Sequence, residues 1–380
     1  MLGRSDRGLL AQWWFTVDRG LMFAVLLLMS AGVLISMAAS PPVADRIGVG
    51  TFHFIKGQLM YLVLAVPMLV ALSFFPPRMA RRSGLIVFGL SLVLMVAALF
   101  FGPEIKGAHR WINVGPLNLQ PSELAKPSFV IVAAWFLAEH TRRPEMPGNY
   151  IAFLMAGLFI GLLVLQPDFG QTALVVLTFG SMLLIYGIPW IAVLGLAGLG
   201  VGGVFAAYFM VPHVQSRIDR FLSPDKGDTF QVDTAIRAFK NGGLMGAGPG
   251  GGDAKLVLPD AHTDFTFAVV GEEFGLIACL LLMSLFAFVV LRVLVRAKSE
   301  HDPFTALSLS GLALAFGFQA VINMGVNVAL LPAKGMTLPF ISYGGSSLIG
   351  MAFAMGLVLA LARRRPGLQQ RSHALSPAFA

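Results

Sequence analysis

VLPDAHTDFTFAVVGEEF, residues 257–274, stands between a long polar segment and a long apolar run. It puts His262, Asp264, Glu272 and Glu273 at the mouth of what reads as a membrane helix. Ionisable groups in that position are costly, face the protein interior and need a partner or a purpose. The surrounding chain of 380 residues is 57% hydrophobic and 12% charged, where a soluble domain carries about 25% charge. The composition predicts an all-α integral membrane protein.

About 20 mainly apolar residues span a bilayer as a helix. Ten stretches qualify: 21–39, 58–75, 84–101, 123–140, 150–166, 171–187, 190–211, 264–291, 304–326 and 344–362. The breaks at Gln166–Gly170 and Gly187–Pro189 are short enough to be kinks, which would change the count. Arg4, Arg7 and Arg19 precede the first run, and Ala38-Ala39-Ser40 resembles a signal-peptide cleavage site. The run exceeds the usual ~7–15 apolar residues, so it reads as a retained helix.

Net charge is +8. In a membrane chain such an excess reports topology, because Lys and Arg concentrate in cytoplasmic loops. One set of helix ends carries fifteen: Arg4, Arg7, Arg19, Arg78, Arg81, Arg82, Arg142, Arg143, Arg292, Arg296, Lys298, Arg363, Arg364, Arg365 and Arg371. The opposite short loops carry five, Arg46, Lys56, Lys106, Arg110 and Lys334. Both termini are therefore expected in the cytoplasm. A large extracytoplasmic loop, 213–263, falls between helices 7 and 8. The domain reading is a cytoplasmic segment 1–20, a polytopic unit 21–365 and a disordered cytoplasmic tail 366–380. Nothing resembles a helix-turn-helix, zinc spacing or basic-aromatic stripe, so no nucleic-acid partner is expected. The single cysteine, Cys279, excludes an internal disulfide.

Three outer segments, 102–126, 213–263 and 327–345, are more polar than connectors need to be and would line one shared site. Asp264 at the start of helix eight suits either a helix cap or a general base. Glu123 and Lys126 are three apart on one helical face and can pair. Either they neutralise each other, or Lys126 and Arg110 hold an anionic group. Gln166-Pro167-Asp168-Phe169-Gly170 reads as an outer turn. On a continuous helix Glu272 lies about 80° from Asp264 and Glu273 about 180°, so Glu272 is expected to share the cavity. The mixed charges of 213–263, including Arg217 and Arg220, are either solvated surface or substrate contacts. GAGPGGG at 246–252 lacks P-loop spacing, and no GxSxG, HExxH or CxxC pattern occurs.

RWINVGPLNLQPSELAK, QPDFGQTALV, AFKNGGLMGAGPGGG, LPDAHTDFTFAVVGEEFG and LLPAKGMTLPFISYGGSS resemble, in order, the blocks of the SEDS family (shape, elongation, division and sporulation). The resemblance spans about 20–365. Ile322-Asn323-Met324-Gly325-Val326-Asn327 and the following Leu331–Pro339 block are similar to the division-type branch rather than the elongation type. Pro127 and Gly250-Gly251-Gly252 depart from the usual pattern, away from the HTDF block.

The resemblance implies a ten-helix peptidoglycan glycosyltransferase that polymerises lipid II, an undecaprenyl-pyrophosphate disaccharide-pentapeptide. It makes Asp264 the catalytic residue. Arg110, Glu123, Lys126, Arg217, Arg220, His262, Glu272, Ser342 and Tyr343 are then the candidate substrate-binding set. No cofactor is implied with certainty; a divalent cation, Mg or Mn, would be compatible with a pyrophosphate leaving group. Implied partners are a class B penicillin-binding protein transpeptidase of the FtsI type and other divisome membrane proteins, at the septum of the bacterial inner membrane. A lipid II transporter and an elongation-type polymerase are the alternative readings, and a recruiting scaffold is a third.

Overall fold

The computed structural model describes residues 8–363, apart from 106, 116, 211–214, 216–218, 220–229, 259 and 333–334. Arg217, Arg220 and the tail expected to be disordered lie outside the described residues. The chain is a helical bundle. A short helix, α1 (Leu9–Thr16), precedes α2 (Arg19–Ile47), α3 (His53–Ser73), α4 (Pro77–Phe101), α5 (Pro121–Arg142), α6 (Gly148–Leu165), α7 (Phe169–Tyr186) and α8 (Trp190–Met210). The polar segment that follows contributes α9 (Phe230–Gly242) and α10 (Ala254–Val257). Then come α11 (Thr266–Lys298), α12 (Pro303–Asn327) and α13 (Gly345–Leu361).

The helices α2–α8 and α11–α13 correspond to the ten predicted spans, and both short breaks are true turns between helices. Eight of them are long and apolar enough to cross a membrane. The other two are α5, which carries charge, and α13, which is short. Both are buried along nearly their whole length. A helix sheathed by others can be apolar all round, or can carry charge, because it meets protein instead of lipid. The phenylalanines Phe88, Phe129, Phe159 and Phe179 pack with centroids 5.5–5.9 Å apart and lock α4, α5, α6 and α7 together.

Pairing at one end gathers the arginine-rich termini. Arg292 binds Asp18, which caps α2. Arg296 donates to the carbonyl of Ala362, and Arg363 to Thr16 and to the carbonyl of Phe74. At the other end 104–119 forms two small hairpins, β1 (Glu104–Ile105) with β2 (Ala108–His109) and β3 (Ile112–Val114) with β4 (Leu117–Leu119). These hairpins are an addition to the purely helical expectation.

The polar segment does not simply hang outside the bundle. Helix α11 is broken at Gly275, where φ is 77° and ψ −177°. The glycine-rich stretch after α9 docks into that break. Ala247 and Gly248 donate to the carbonyls of Glu272 and Glu273 at 2.9 and 3.0 Å, and Leu276 and Ile277 donate to those of Gly243 and Leu244 at 2.9 and 3.3 Å. Backbone groups freed by the break are thus re-paired within the protein, the condition under which irregular chain is tolerated near a bilayer. The arm 276–298 alone is long enough to span about 30 Å at 1.5 Å per residue. Counted from its basic end, Glu272 and Glu273 lie beyond this bilayer-length arm, on the far side of the break.

A Cβ at Gly275 would stand 2.4 Å from the carbonyl oxygen of Leu244, on a backbone that L-residues avoid. Gly275→Ala should therefore lose at least ~1–2 kcal/mol from backbone conformation alone. The expected observation is a lower midpoint in a detergent thermal-unfolding series, with Gly157→Ala, where a Cβ meets nothing within 4 Å, close to wild type.

Candidate functional site

A cavity of about 900 Å³ lies at the hairpin end of the bundle. Its walls come from all three polar segments. The first provides Arg110, Trp111, Asn118, Gln120 and Glu123; the second Gln231, Asp233 and Asp260, with Asp264 just past its end; the third Gly335, Thr337 and Tyr343. The turn between α6 and α7 adds Asp168, and the first turn of α7 adds Gln171. Apolar side chains including Ile105, Phe169, Ile236 and Leu331 alternate with these, the mixture of apolar wall and few convergent polar groups that ligand sites use.

Asp264 sits two residues before α11, in a turn whose amides at Thr263, Asp264 and Phe265 all point to the carbonyl of Asp260. The helix cap position belongs to Phe265, which offers no capping side chain. The carbonyl of Asp264 accepts from the amide nitrogens of Asn323 and Asn327, each at 2.9 Å.

Below the cavity is a buried ion pair. Lys126 Nζ is 2.9 Å from Glu123 Oε2, and the side chains are only 5% and 4% exposed. The ammonium also donates to Gln171 Oε1 at 2.8 Å and Gln319 Oε1 at 3.0 Å. The ammonium is thus met by one carboxylate and two hydrogen-bond acceptors. Gln171 donates on to Glu123 Oε1 at 2.8 Å, and Gln319 to the carbonyl of Thr337 at 3.1 Å. Glu123 lines the cavity; Lys126 lies behind it.

Arg110 clamps the turn before α7. It donates through Nε to the carbonyl of Gln166 at 2.7 Å and through Nη2 to that of Pro167, with Nη1 3.6 Å from Asp168 Oδ2. Two of its five N–H groups are committed to carbonyls, and the guanidinium still lines the cavity. Asp168 caps α7 through Gln171 and accepts from Gln120 Nε2 at 3.1 Å. Burial pushes the Asp168 carboxyl above the ordinary carboxylate range, against the pull of the Arg110 charge.

Of the other predicted residues, Tyr343 lines the cavity. His262 packs beside it, between Phe54 at 4.3 Å and Tyr343 at 5.7 Å between centroids, outside the lining. Ser342 is buried and accepts from the amide of Leu338. Glu272 is a correction. It does not share the cavity with Asp264 but binds the amides of Asp253 and Ala254 and the side chain of Asn241, while Glu273 pairs with Lys255. The rotational estimate assumed a helix running from Asp264; that residue stands in a turn before it. Reading the sequence missed Gln171, Gln319, Asn323 and Asn327, and took Asp168 only as a turn residue. Among the described residues no group of three or more His, Cys, Asp and Glu is arranged to hold a metal ion.

Comparisons with known proteins converge on this architecture. A family model for FtsW, RodA and SpoVE, described as cell cycle protein, matches residues 19–366. The probable peptidoglycan glycosyltransferase FtsW of Caulobacter vibrioides is 42% identical over 365 residues, covering 96% of this chain and 94% of that protein. The protein of the same name from Coxiella burnetii is 35% identical, covering 92% and 96%. Among solved structures, a chain of a peptidoglycan synthase complex, studied for its coordination of polymerization and crosslinking, superposes with a TM-score of 0.77. It is 29% identical, with 92% of this chain and 98% of that one covered. The crystal structure of Thermus thermophilus rod shape determining protein RodA gives 0.65 at 29% identity, with 92% and 97% covered.

The Asp168 carboxyl provides a pH test. Its folded value is raised, so its ionisation opposes folding, and the cost grows as pH rises from the unfolded value through the folded one. Arg110→Ala removes the cation that restrains this shift. The loss in unfolding midpoint should be larger at pH 8 than at pH 4; Arg110→Ala combined with Asp168→Asn should flatten that difference.

Proposed function

The chain belongs to the FtsW, RodA and SpoVE family of cell cycle proteins, and on that premise we infer how this multi-pass membrane peptidoglycan glycosyltransferase works. The reading is that it polymerises lipid II with Asp264 as general base. The observation that carries it is one cavity lined by Asp264, Glu123 and Arg110 together, with Lys126 paired to Glu123 directly behind the wall. These groups come from segments far apart in the chain.

Polymerisation needs a proton taken from the acceptor sugar's 4-hydroxyl while its oxygen attacks the donor's anomeric carbon. The bond to the lipid pyrophosphate breaks, that group leaves with the electron pair, and the configuration inverts. One positioned carboxylate suffices, and such a base contributes typically ~100- to 10,000-fold. Two paired carboxylates, as in hydrolysis, are not required. Charge accumulates on the departing pyrophosphate, where fixed cations stabilise it. Arg110 is the group suited to direct contact, since it keeps N–H groups on the cavity side. Lys126, held behind the wall by Glu123, Gln171 and Gln319, acts through the field it imposes. The apolar wall accommodates the first isoprene units.

The basic end of the bundle faces the cytoplasm and the cavity faces outward. A class B penicillin-binding protein of the FtsI type is the crosslinking partner. The similarity to a complex studied for coupling polymerization to crosslinking supports that assignment. The INMGVN block and the two FtsW relatives support a septal site with other divisome proteins.

Purified protein given lipid II in detergent should make glycan strands with no membrane to cross, which a transporter would not do. Asp264→Asn should lower that rate by at least ~100-fold while leaving lipid II binding intact. Normal strands from that variant would remove Asp264 from its role. Depleting the protein in cells should give filaments; rounded cells would move it to elongation.

A further inference from the structure

We propose that Gln319, Asn323 and Asn327 form a positioning stripe that holds the main chain of Asp264 in fixed relation to the Glu123–Lys126 pair. The inference rests on Asp264 being the base. The three amides recur every fourth residue on α12, so they share one face and stack one turn apart. All three are buried, at 0, 2 and 0% exposure. In a helix otherwise rich in apolar residues such groups persist only if they are hydrogen-bonded.

Their partners run in one direction. Gln319 accepts from Lys126 and donates to the carbonyl of Thr337. Asn323 donates to the carbonyls of Met336, at 2.6 Å, and Asp264. Asn327 donates to the carbonyls of Asp264 and Asn323 and accepts from the amide of Ala268 at 3.0 Å. Neither Asn amide can be turned over without placing an oxygen against carbonyl oxygens, so both orientations are dictated by their surroundings.

Ala268 is the third residue of α11, whose amide a capping side chain normally satisfies. The side chain of Phe265 at the cap position cannot do so; the amide is shared between the Phe265 carbonyl, at 3.0 Å, and the Asn327 side-chain oxygen supplied from another helix. That explains why the carboxylate two residues before α11 need not serve as its cap. Both Asn nitrogens meeting on one carbonyl then hold the Asp264 main chain from two directions. A base displaced by about 1 Å can lose on the order of 100-fold in rate, so a buried two-point hold on this residue has a kinetic meaning beyond stability.

Asn327→Asp separates the two roles. The variant keeps an acceptor for Ala268, hence the cap, and loses the donor to Asp264. Asn323→Ala removes the other donor without touching the cap. Each should lower kcat in the detergent assay between about 10- and 100-fold, with the KM for lipid II within about twofold of wild type and the acid limb of the kcat–pH profile displaced. Asn323→Ala also leaves the Met336 carbonyl without its donor, and an unanswered buried acceptor costs stability. Its unfolding midpoint should therefore fall while the protein stays folded, and this variant decides the matter if Asn327→Asp does not fold. Wild-type kcat in a folded variant, or a change confined to KM, overturns the proposal. Asp264→Asn assayed alongside tells the two levels apart. If it is inactive while the Asn variants are fully active, only the stripe is lost; if it is active, base and stripe fall together.

Discussion

An ammonium buried in the middle of a membrane bundle must meet a counter-charge and hydrogen-bond acceptors, and the rest of the fold is built around supplying them. Lys126 reaches its carboxylate one turn away on α5, then one glutamine on α7 and another on α12. Removing one partner of such a pair leaves an uncompensated charge, which costs roughly 3–5 kcal/mol. The pair therefore fixes three helices relative to each other. Through Gln319 it also fixes the loop at Thr337. Structural and chemical demands coincide here: the arrangement that makes the charge tolerable places Glu123 in the cavity wall and the cation directly behind it.

A second constraint acts on the backbone. The break at Gly275 would leave peptide groups without partners, and the glycine-rich stretch after α9 enters to supply them. Glycine is needed on both sides because backbone meets backbone. The consequence reaches the site. α9 is tethered where the stretch docks, and its face carrying Gln231, Asp233 and Ile236 becomes a cavity wall. Glu272 and Glu273 hold this docking together through Asn241, the amides at Asp253 and Ala254, and Lys255. Their charges serve the wall, not the reacting groups.

What could be read from the sequence follows the same physics. The bilayer imposes a length on apolar runs, so all ten helices were legible, even α5 with its charges. Glu123 and Lys126 were legible as a pair because their spacing is local. Asp264 was singled out because a carboxylate beside an apolar run is rare. The amides Gln171, Gln319, Asn323 and Asn327 were not, since a lone Asn or Gln in a helix carries no local signature and the partners that tie it to Lys126 or Asp264 are 45–193 residues away. The Glu272 expectation failed for a definable reason. Helical rotation was carried back to a residue outside the helix, and the docking of 243–252 into the break left no local trace beyond its glycines.

The two cations of the site differ in what they have left to give. Lys126 lies behind the cavity wall among Glu123 and two glutamines, so a pyrophosphate could bind it directly only by displacing one of them, leaving a buried carboxylate or amide unsatisfied. Arg110 uses two N–H groups on carbonyls and stands 3.6 Å from Asp168, so it can take a phosphate oxygen without dismantling the turn before α7. Charge that develops late in the reaction is best met by a donor already in place. The geometry thus divides the work. On the proposed reading Lys126 sustains the electrostatic field and the fold, and Arg110 is the cation placed at the cavity wall to meet a leaving group.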